Sequence, residues 1–273
     1  MHKAVAWQGE RVREQPAPPL HIGLLGGFRV MRADVEQPLV DWQRRSAKTL
    51  TKLLATVPGH ALHREQVLEI LWPGADLASA LNSLGKALHA ARRALEPGLP
   101  ARESSAYLRL TDGMLVLDTE YVAIDADRFQ DLAEAALRGG GVEEHETALG
   151  AYRGELLPGD RYEDWSEDRR SHLAGLHVAL LVGLAEALEV RGARVQAAGR
   201  LRAVLEHDPA MEDVHRRLMR LYAEMGARAQ AVRQFQRCCD ALRRDLGLAP
   251  AAATVALYED VVADRVPRMD SAA

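Results

Sequence analysis

The chain has 273 residues, 48% of them apolar and 5% aromatic, and a formal net charge of −4. That length and apolar content can bury a substantial core in one or two domains, and the abundance of Ala, Leu and Arg favours helices and excludes an all-β protein. The charge excludes a protein that coats nucleic acid non-specifically, but it is uneven. Residues 1–118 hold 15 Lys/Arg against 12 Asp/Glu, a net of +3, and residues 119–273 hold 20 against 27, a net of −7.

In chain order, residues 1–19, with Pro16, Pro18 and Pro19, read as a mobile tail. Leu20 to Trp42 is strand-like, with Ile22, Leu24, Phe28, Val30, Leu39 and Val40 broken by Gly26-Gly27 and by a turn region from Asp34 to Pro38. Three helices follow: Arg44 to Val57, ending at Pro58-Gly59; His63 to Leu71, ending at Trp72-Pro73-Gly74; and Asp76 to Leu95, ending at Pro97-Gly98. Tyr107–Leu110 and Leu115–Leu117 then flank Asp112-Gly113, a strong hairpin signal. Strands, three helices and a terminal hairpin make a winged helix.

From Asp125 to about Val266 only helical periodicity remains, with helices predicted at Asp125–Arg138, Val142–Tyr152 and Tyr162–Ala174 ahead of an internal repeat. An offset of 34 residues superposes Leu184 on Leu218, Leu188 on Tyr222, Gly192 on Gly226, Ala197 on Ala231 and Leu201 on Phe235. That is the tetratricopeptide (TPR) period, in which Gly permits the tight interhelical turn and Ala the close approach of paired helices. The predicted fold is mainly α with a small β component. A winged helix-turn-helix domain (20–118) precedes an all-α TPR-like domain (119–267), and residues 268–273 form a C-terminal tail.

On a helical wheel, Leu77, Leu81, Leu84, Leu88, Ala91 and Leu95 define an apolar face of the third helix. Asn82, Lys86, His89 and Arg93 lie at about 80–140° from Leu81, and Ser79 at about 160° extends the row. A helix anchored on one side, with an amide, two cations and an imidazole on the other, has the chemistry to read a major groove; a solvated surface face fits the same pattern. Arg44, Arg45, Lys48 and Lys52 share one side of the first helix, as phosphate contacts or simple solubilising charge. Arg109 belongs to the wing. Arg92 lies near the apolar edge and is expected to snorkel or pair internally, and Trp72 and Trp165 are read as core anchors.

The segment Ala80 to Pro97, the preceding His63-Arg-Glu-Gln-Val-Leu-Glu-Ile-Leu-Trp-Pro73 and the hairpin Tyr107–Leu117 resemble the OmpR-type winged-helix domain of actinobacterial SARP/AfsR-like regulators. Ala151-Tyr-Arg-Gly-Glu-Leu-Leu-Pro158, Tyr162-Glu-Asp-Trp165, Arg169-Arg170 and Leu201 to Pro250 resemble the bacterial transcriptional activator domain that follows it in that family. The resemblance implies promoter DNA bound at direct repeats by side-by-side protomers, forming a homodimer on DNA, and engagement of RNA polymerase holoenzyme. The family often carries Ser-Arg-Leu-Arg-Arg near the end of the recognition helix, where this chain has His89-Ala90-Ala91-Arg92-Arg93.

An enzyme is not expected. There is no Gly-x-Ser-x-Gly, no His-Glu-x-x-His and no Walker A loop, and Gly23-Leu-Leu-Gly-Gly27 reads as a strand turn. Adjacent Cys238 and Cys239 suit neither a disulfide nor a metal site, so no cofactor and no metal are expected. No run of about 18 apolar residues is read, which predicts a cytoplasmic chain without membrane contact. The competing function is a protein-interaction adaptor in which the repeats bind a peptide or helix and the winged helix contacts protein instead of DNA.

Overall fold

A computed structural model describes residues 18–33, 35–37, 42, 44–100 and 103–268. Residues 1–17 of the expected N-terminal tail, residues 269–273 of the C-terminal tail, both ends of the Asp34 to Pro38 turn, and Leu39 and Val40 lie outside these. The chain divides into two compact units, Met1–Phe129 with Tyr152–Leu173, and Gln130–Ala151 with Ala174–Ala273.

The first unit opens with β1 (Leu20–Gly23), β2 (Arg29–Arg32) and β3 (Val35–Glu36), an antiparallel meander in which Ile22 faces Val30. Then come α1 (Arg45–Thr56), β4 (Ala61–His63), α2 (Arg64–Leu71) and α3 (Leu77–Leu95). The start of each later helix is written locally. His63 and Gln66 form a reciprocal capping box on α2, and Asp76 Oδ1 accepts from the Ser79 amide at 3.0 Å on α3. The wing is β5 (Leu108–Thr111) and β6 (Met114–Leu117), joined through Asp112 and Gly113 at φ 52° and 82°, the left-handed pair that a two-residue hairpin demands. β4 extends that hairpin to the order β4-β6-β5.

Two strands go beyond the pattern expected from the sequence. One is β4; the other is β7 (Val122–Ile124), which pairs parallel with β1 and completes the order β3-β2-β1-β7. After β7, the carboxylate of Asp125 accepts from the amides of Leu24 (2.7 Å) and Leu25 (3.3 Å), 100 residues earlier, and its burial raises its pKa. Leu50, Leu53 and Leu54 of α1, Val67 of α2, Ala87, Ala91 and Leu95 of α3 and Leu115 of β6 are fully buried. Each fully buried Leu of this set contributes about 1.5–3 kcal/mol.

The remaining helices are α4 (Asp125–Leu137), α5 (Val142–Ala151), α6 (Glu167–Val190), α7 (Arg194–His207), α8 (Glu212–Glu224), α9 (Arg228–Ala241) and α10 (Ala252–Val262). In the second unit the 34-residue repeat is exact in the backbone, because α7 and α9 begin and end 34 residues apart. Gly192 and Gly226 sit at φ 76° and 72°. The Ala193 amide bonds the Leu188 carbonyl and the Ala227 amide the Tyr222 carbonyl, both at 2.8 Å, the same left-handed helix stop used twice. Leu184, Ala197, Leu201, Leu218 and Ala231 are buried in one cluster.

The helix expected over Tyr162–Ala174 is instead the start of α6, which runs unbroken for 24 residues. Gly183 inside it does not break the helix; it leaves room for a neighbour, since a Cβ there would meet His145 Nε2 at 2.5 Å. The stretch Asp164–Val190 is long and apolar enough by composition to cross a membrane, although His177, Glu186 and Glu189 keep it from being an uninterrupted apolar run of 18 residues. In the second unit its Leu180, Leu181, Leu184, Ala185 and Leu188 are buried, which accounts for much of that apolarity.

Candidate nucleic-acid interface

The candidate interface belongs to the first unit and rests on α3. Ala80, Leu84, Ala87, Leu88, Ala91, Ala94 and Leu95 are buried, and α3 packs against α1. The apolar face is shorter than the sequence suggested, for Leu77 and Leu81 are 66% and 40% exposed. At a rise of about 1.5 Å per residue, α3 is about 28 Å long and α1 about 18 Å; a 12-residue partner cannot cover all of a 19-residue helix.

Ser79, Asn82, Lys86, His89 and Arg93 are all exposed. Ser79 is committed locally: its hydroxyl and amide bond the Asp76 carboxylate and hold it below the usual carboxylate range. Asn82, Lys86, His89 and Arg93 make no hydrogen bond or ion pair with other described residues. Arg92 is turned inward, its Nε donating to the Leu108 carbonyl at 2.9 Å, which ties α3 to the wing.

The four cations of the first helix separate. Arg44 is the N-cap residue and is exposed together with Arg45, while Lys48 is half-buried with its Nζ 6.0 Å from the Phe28 ring centroid. Lys52 is buried, its ammonium on the Asp160 carboxylate and 5.5 Å from the Phe28 centroid. A buried ammonium already neutralised is withdrawn from solvent, so Lys52 belongs to the interior and not to the exposed set. The first turn of α1 has no acidic residue. Cations there oppose the helix dipole at a cost of about 0.3–1 kcal/mol each, an arrangement that an incoming anion relieves.

On the wing, Arg109 is half-exposed and reaches Asp118 at 2.7 Å, so it is oriented by a neighbour and still accessible. Arg64, exposed at the start of α2, adds a cation that the sequence pattern had not singled out. Trp72 is half-buried at the end of α2, and half-buried Trp165 donates from Nε1 to Glu163 at 3.1 Å. In the second unit Cys238 is buried, and that burial pushes its thiol up to about 12, so it is not a nucleophile at neutral pH. Among the described residues there is no cluster suited to hold a metal ion.

A three-helix winged unit and a helical-repeat unit in one chain are the architecture expected of SARP/AfsR-like transcription regulators. The fold is similar to that of the solved structure of Mycobacterium tuberculosis EmbR in complex with a low affinity phosphopeptide. The TM-score is 0.73 at 20% identity, over 93% of this chain and 67% of that one. A model of the bacterial transcriptional activator domain matches residues 124–262, just over half of the chain, and the chain belongs to that family. No curated protein matches its sequence.

Proposed function

We propose that this regulator binds promoter DNA sequence-specifically, with α3 in the major groove. Asn82, Lys86, His89 and Arg93 meet base edges or adjacent phosphates, and Ser79 borders them. Arg44, Arg45 and Lys48 meet the phosphate backbone at the α1 N-terminus, and Arg109 of the wing meets a phosphate or the minor groove. In this reading residues 20–118 carry DNA recognition and residues 119–267 carry activation by contacting RNA polymerase holoenzyme. Protomers sit side by side as a homodimer on direct repeats, in the cytoplasm. The observation that carries the reading is a helix buried along one face whose other face holds Asn82, Lys86, His89 and Arg93 exposed and unpaired among the described residues.

The test is selection of bound fragments from a random duplex pool, followed by titration of the best site at several salt concentrations. The expected result is an enriched repeated motif whose log affinity falls linearly with log salt. The double variant Lys86→Ala, Arg93→Ala should lose specific binding, with stability within about 0.5 kcal/mol per exposed substitution. Equal affinity in that variant would sink the assignment of α3, and absence of any enriched motif would leave the adaptor reading in its place.

A further inference from the structure

The second unit holds a cleft of about 440 Å³ between α7 and α9, far from anything the DNA-binding reading uses in sequence. Its size falls within the range of small-molecule sites, about 300–1,000 Å³. We infer that it binds a small organic anion, a carboxylate or phosphate monoester with a compact apolar body, held between the guanidinium groups of Arg202 and Arg237.

The floor is built and neutral. Gln234 and His215 are 2% and 3% exposed and line the cleft. His215 Nε2 lies 2.9 Å from the Pro209 carbonyl oxygen, and only an N–H can meet that acceptor. Its Nδ1 therefore accepts from the Gln234 carboxamide nitrogen at 2.7 Å. The two bonds lock the neutral tautomer, and burial pulls the His215 pKa down in the same sense. A neutral floor whose side chains bond each other does not add a mobile counter-charge to compete for the arginines.

The walls carry the charge. Arg202 of α7 and Arg237 of α9 make no hydrogen bond or ion pair with other described residues. Arg244, also at the cleft, is clamped by Asp245 at 2.7 and 3.0 Å and serves as rim. Glu206 and Asp240 line the cleft as well, but neither pairs with Arg202 or Arg237 among the described residues, so both guanidiniums keep their donors for a ligand. The C-terminal end of α7 opposes an anion with about half an elementary charge, so recognition rests on the donors of the two guanidiniums and not on net charge. A guanidinium offers paired donors that match an oxyanion two at a time, and Leu205, Pro209 and Ala241 supply apolar surface for the body of the ligand.

The experiment uses the full chain with phenyl phosphate, benzoate, neutral benzamide and inorganic phosphate at constant ionic strength. Affinity is read by isothermal titration and by the NMR signals of the His215 imidazole. Phenyl phosphate or benzoate should bind and shift the His215 signals, and the tighter of the two names the anionic group. Arg202→Gln with Arg237→Gln should weaken that binding at least about tenfold, the loss expected for charge-assisted hydrogen bonds. The inference is overturned if neither organic anion binds at millimolar concentration, if His215 does not respond, if benzamide binds as well, or if the double variant binds unchanged. Inorganic phosphate binding as tightly as phenyl phosphate would overturn the organic part. Since the His215 response is read in the unaltered protein, poor folding of the double variant does not remove the test.

Discussion

Both units bury an apolar core, but the first adds polar ties between residues as far as 108 apart in the chain, whereas the ties of the second join nearby helices. Lys52 reaches Asp160, 108 residues on; His60 Nε2 reaches Asp127 at 3.0 Å, and Arg169 reaches the same carboxylate at 2.8 Å. Arg170, 8% exposed at its side chain, bonds Glu167, Ser166 and the carbonyls of Leu156 and Asp160. In the second unit α7, α8, α9 and α10 each pack on the next, Leu201, Leu218 and Ala231 are buried, and polar ties such as Arg217 to Glu186 and Glu189 and Gln234 to His215 span about one repeat or less. A unit assembled from distant polar pairs depends on every partner being present, whereas a stack of repeats depends on local shape. Residues 152–173, which the activator-domain match includes, supply much of the polar framework of the first unit.

The largest expected effect comes from breaking that framework at its centre. Arg170→Ala leaves Glu155 with Arg161 alone and the Leu156 carbonyl without its donor, and should destabilise the first unit by about 1–3 kcal/mol. All four tryptophans, at 7, 42, 72 and 165, fall in the sequence of the first unit, and none falls in the second. Urea unfolding followed by tryptophan fluorescence should therefore shift strongly, while the helical signal remaining at higher urea, from the repeats, should not. A parallel shift of both signals would mean that the two units unfold as one and the contrast in their cohesion has no energetic consequence.

What the sequence made legible follows the same division. The Pro73-Gly74 and Pro97-Gly98 helix stops, the Asp112-Gly113 turn and the 34-residue offset act over a few residues or one repeat, so their pattern alone located α2, α3, the wing and the α7 and α9 pair. Nothing local marks Val122-Ala123-Ile124 as the parallel partner of β1, or Lys52 as buried, because each depends on a segment about 100 residues away. The wheel found the apolar stripe of α3 but carried no information about the length of α1, so the exposure of Leu77 and Leu81 was out of reach. Of the candidate site, residue types and their common face were readable; which cations stay accessible was decided by tertiary partners.

A smaller and opposite-signed response to pH separates the units. Bonding to Asp127 raises the His60 pKa above 6.5, so its stabilisation is fully present below pH 6.5 and is lost as pH rises through the folded value. In the second unit burial, with the nearby His207 ring at 4.9 Å, lowers His177 to about 4, and burial also lowers His215. Their contribution is present above pH 6.5 and is lost as pH falls from there towards 4. Taking the protein from pH 8 to 6.5 should raise the urea midpoint by tryptophan fluorescence. Going on to pH 4.5 should lower that of the repeats by circular dichroism. Asp127→Asn should erase only the first change, and midpoints moving together across both ranges would contradict the assignment.

The smallest expected change lies on α3 itself. Gly85 is exposed within the helix, has ordinary helical backbone, and a Cβ there would meet nothing within 4 Å. Gly85→Ala should therefore stabilise the first unit by about 0.4–1 kcal/mol, mainly by restricting the unfolded chain. A rise in the tryptophan-detected midpoint checks that gain. The same variant bears on why a helix-weakening residue stands between Asn82 and Lys86. About 40° round the helix from Leu81, the glycine borders the row proposed to face the groove, where a methyl group would hold α3 away from a closely approached base pair. Higher stability with weaker DNA binding would identify Gly85 as a point of close approach. Higher stability with unchanged affinity would show that the row reads DNA from further out, through its long side chains alone.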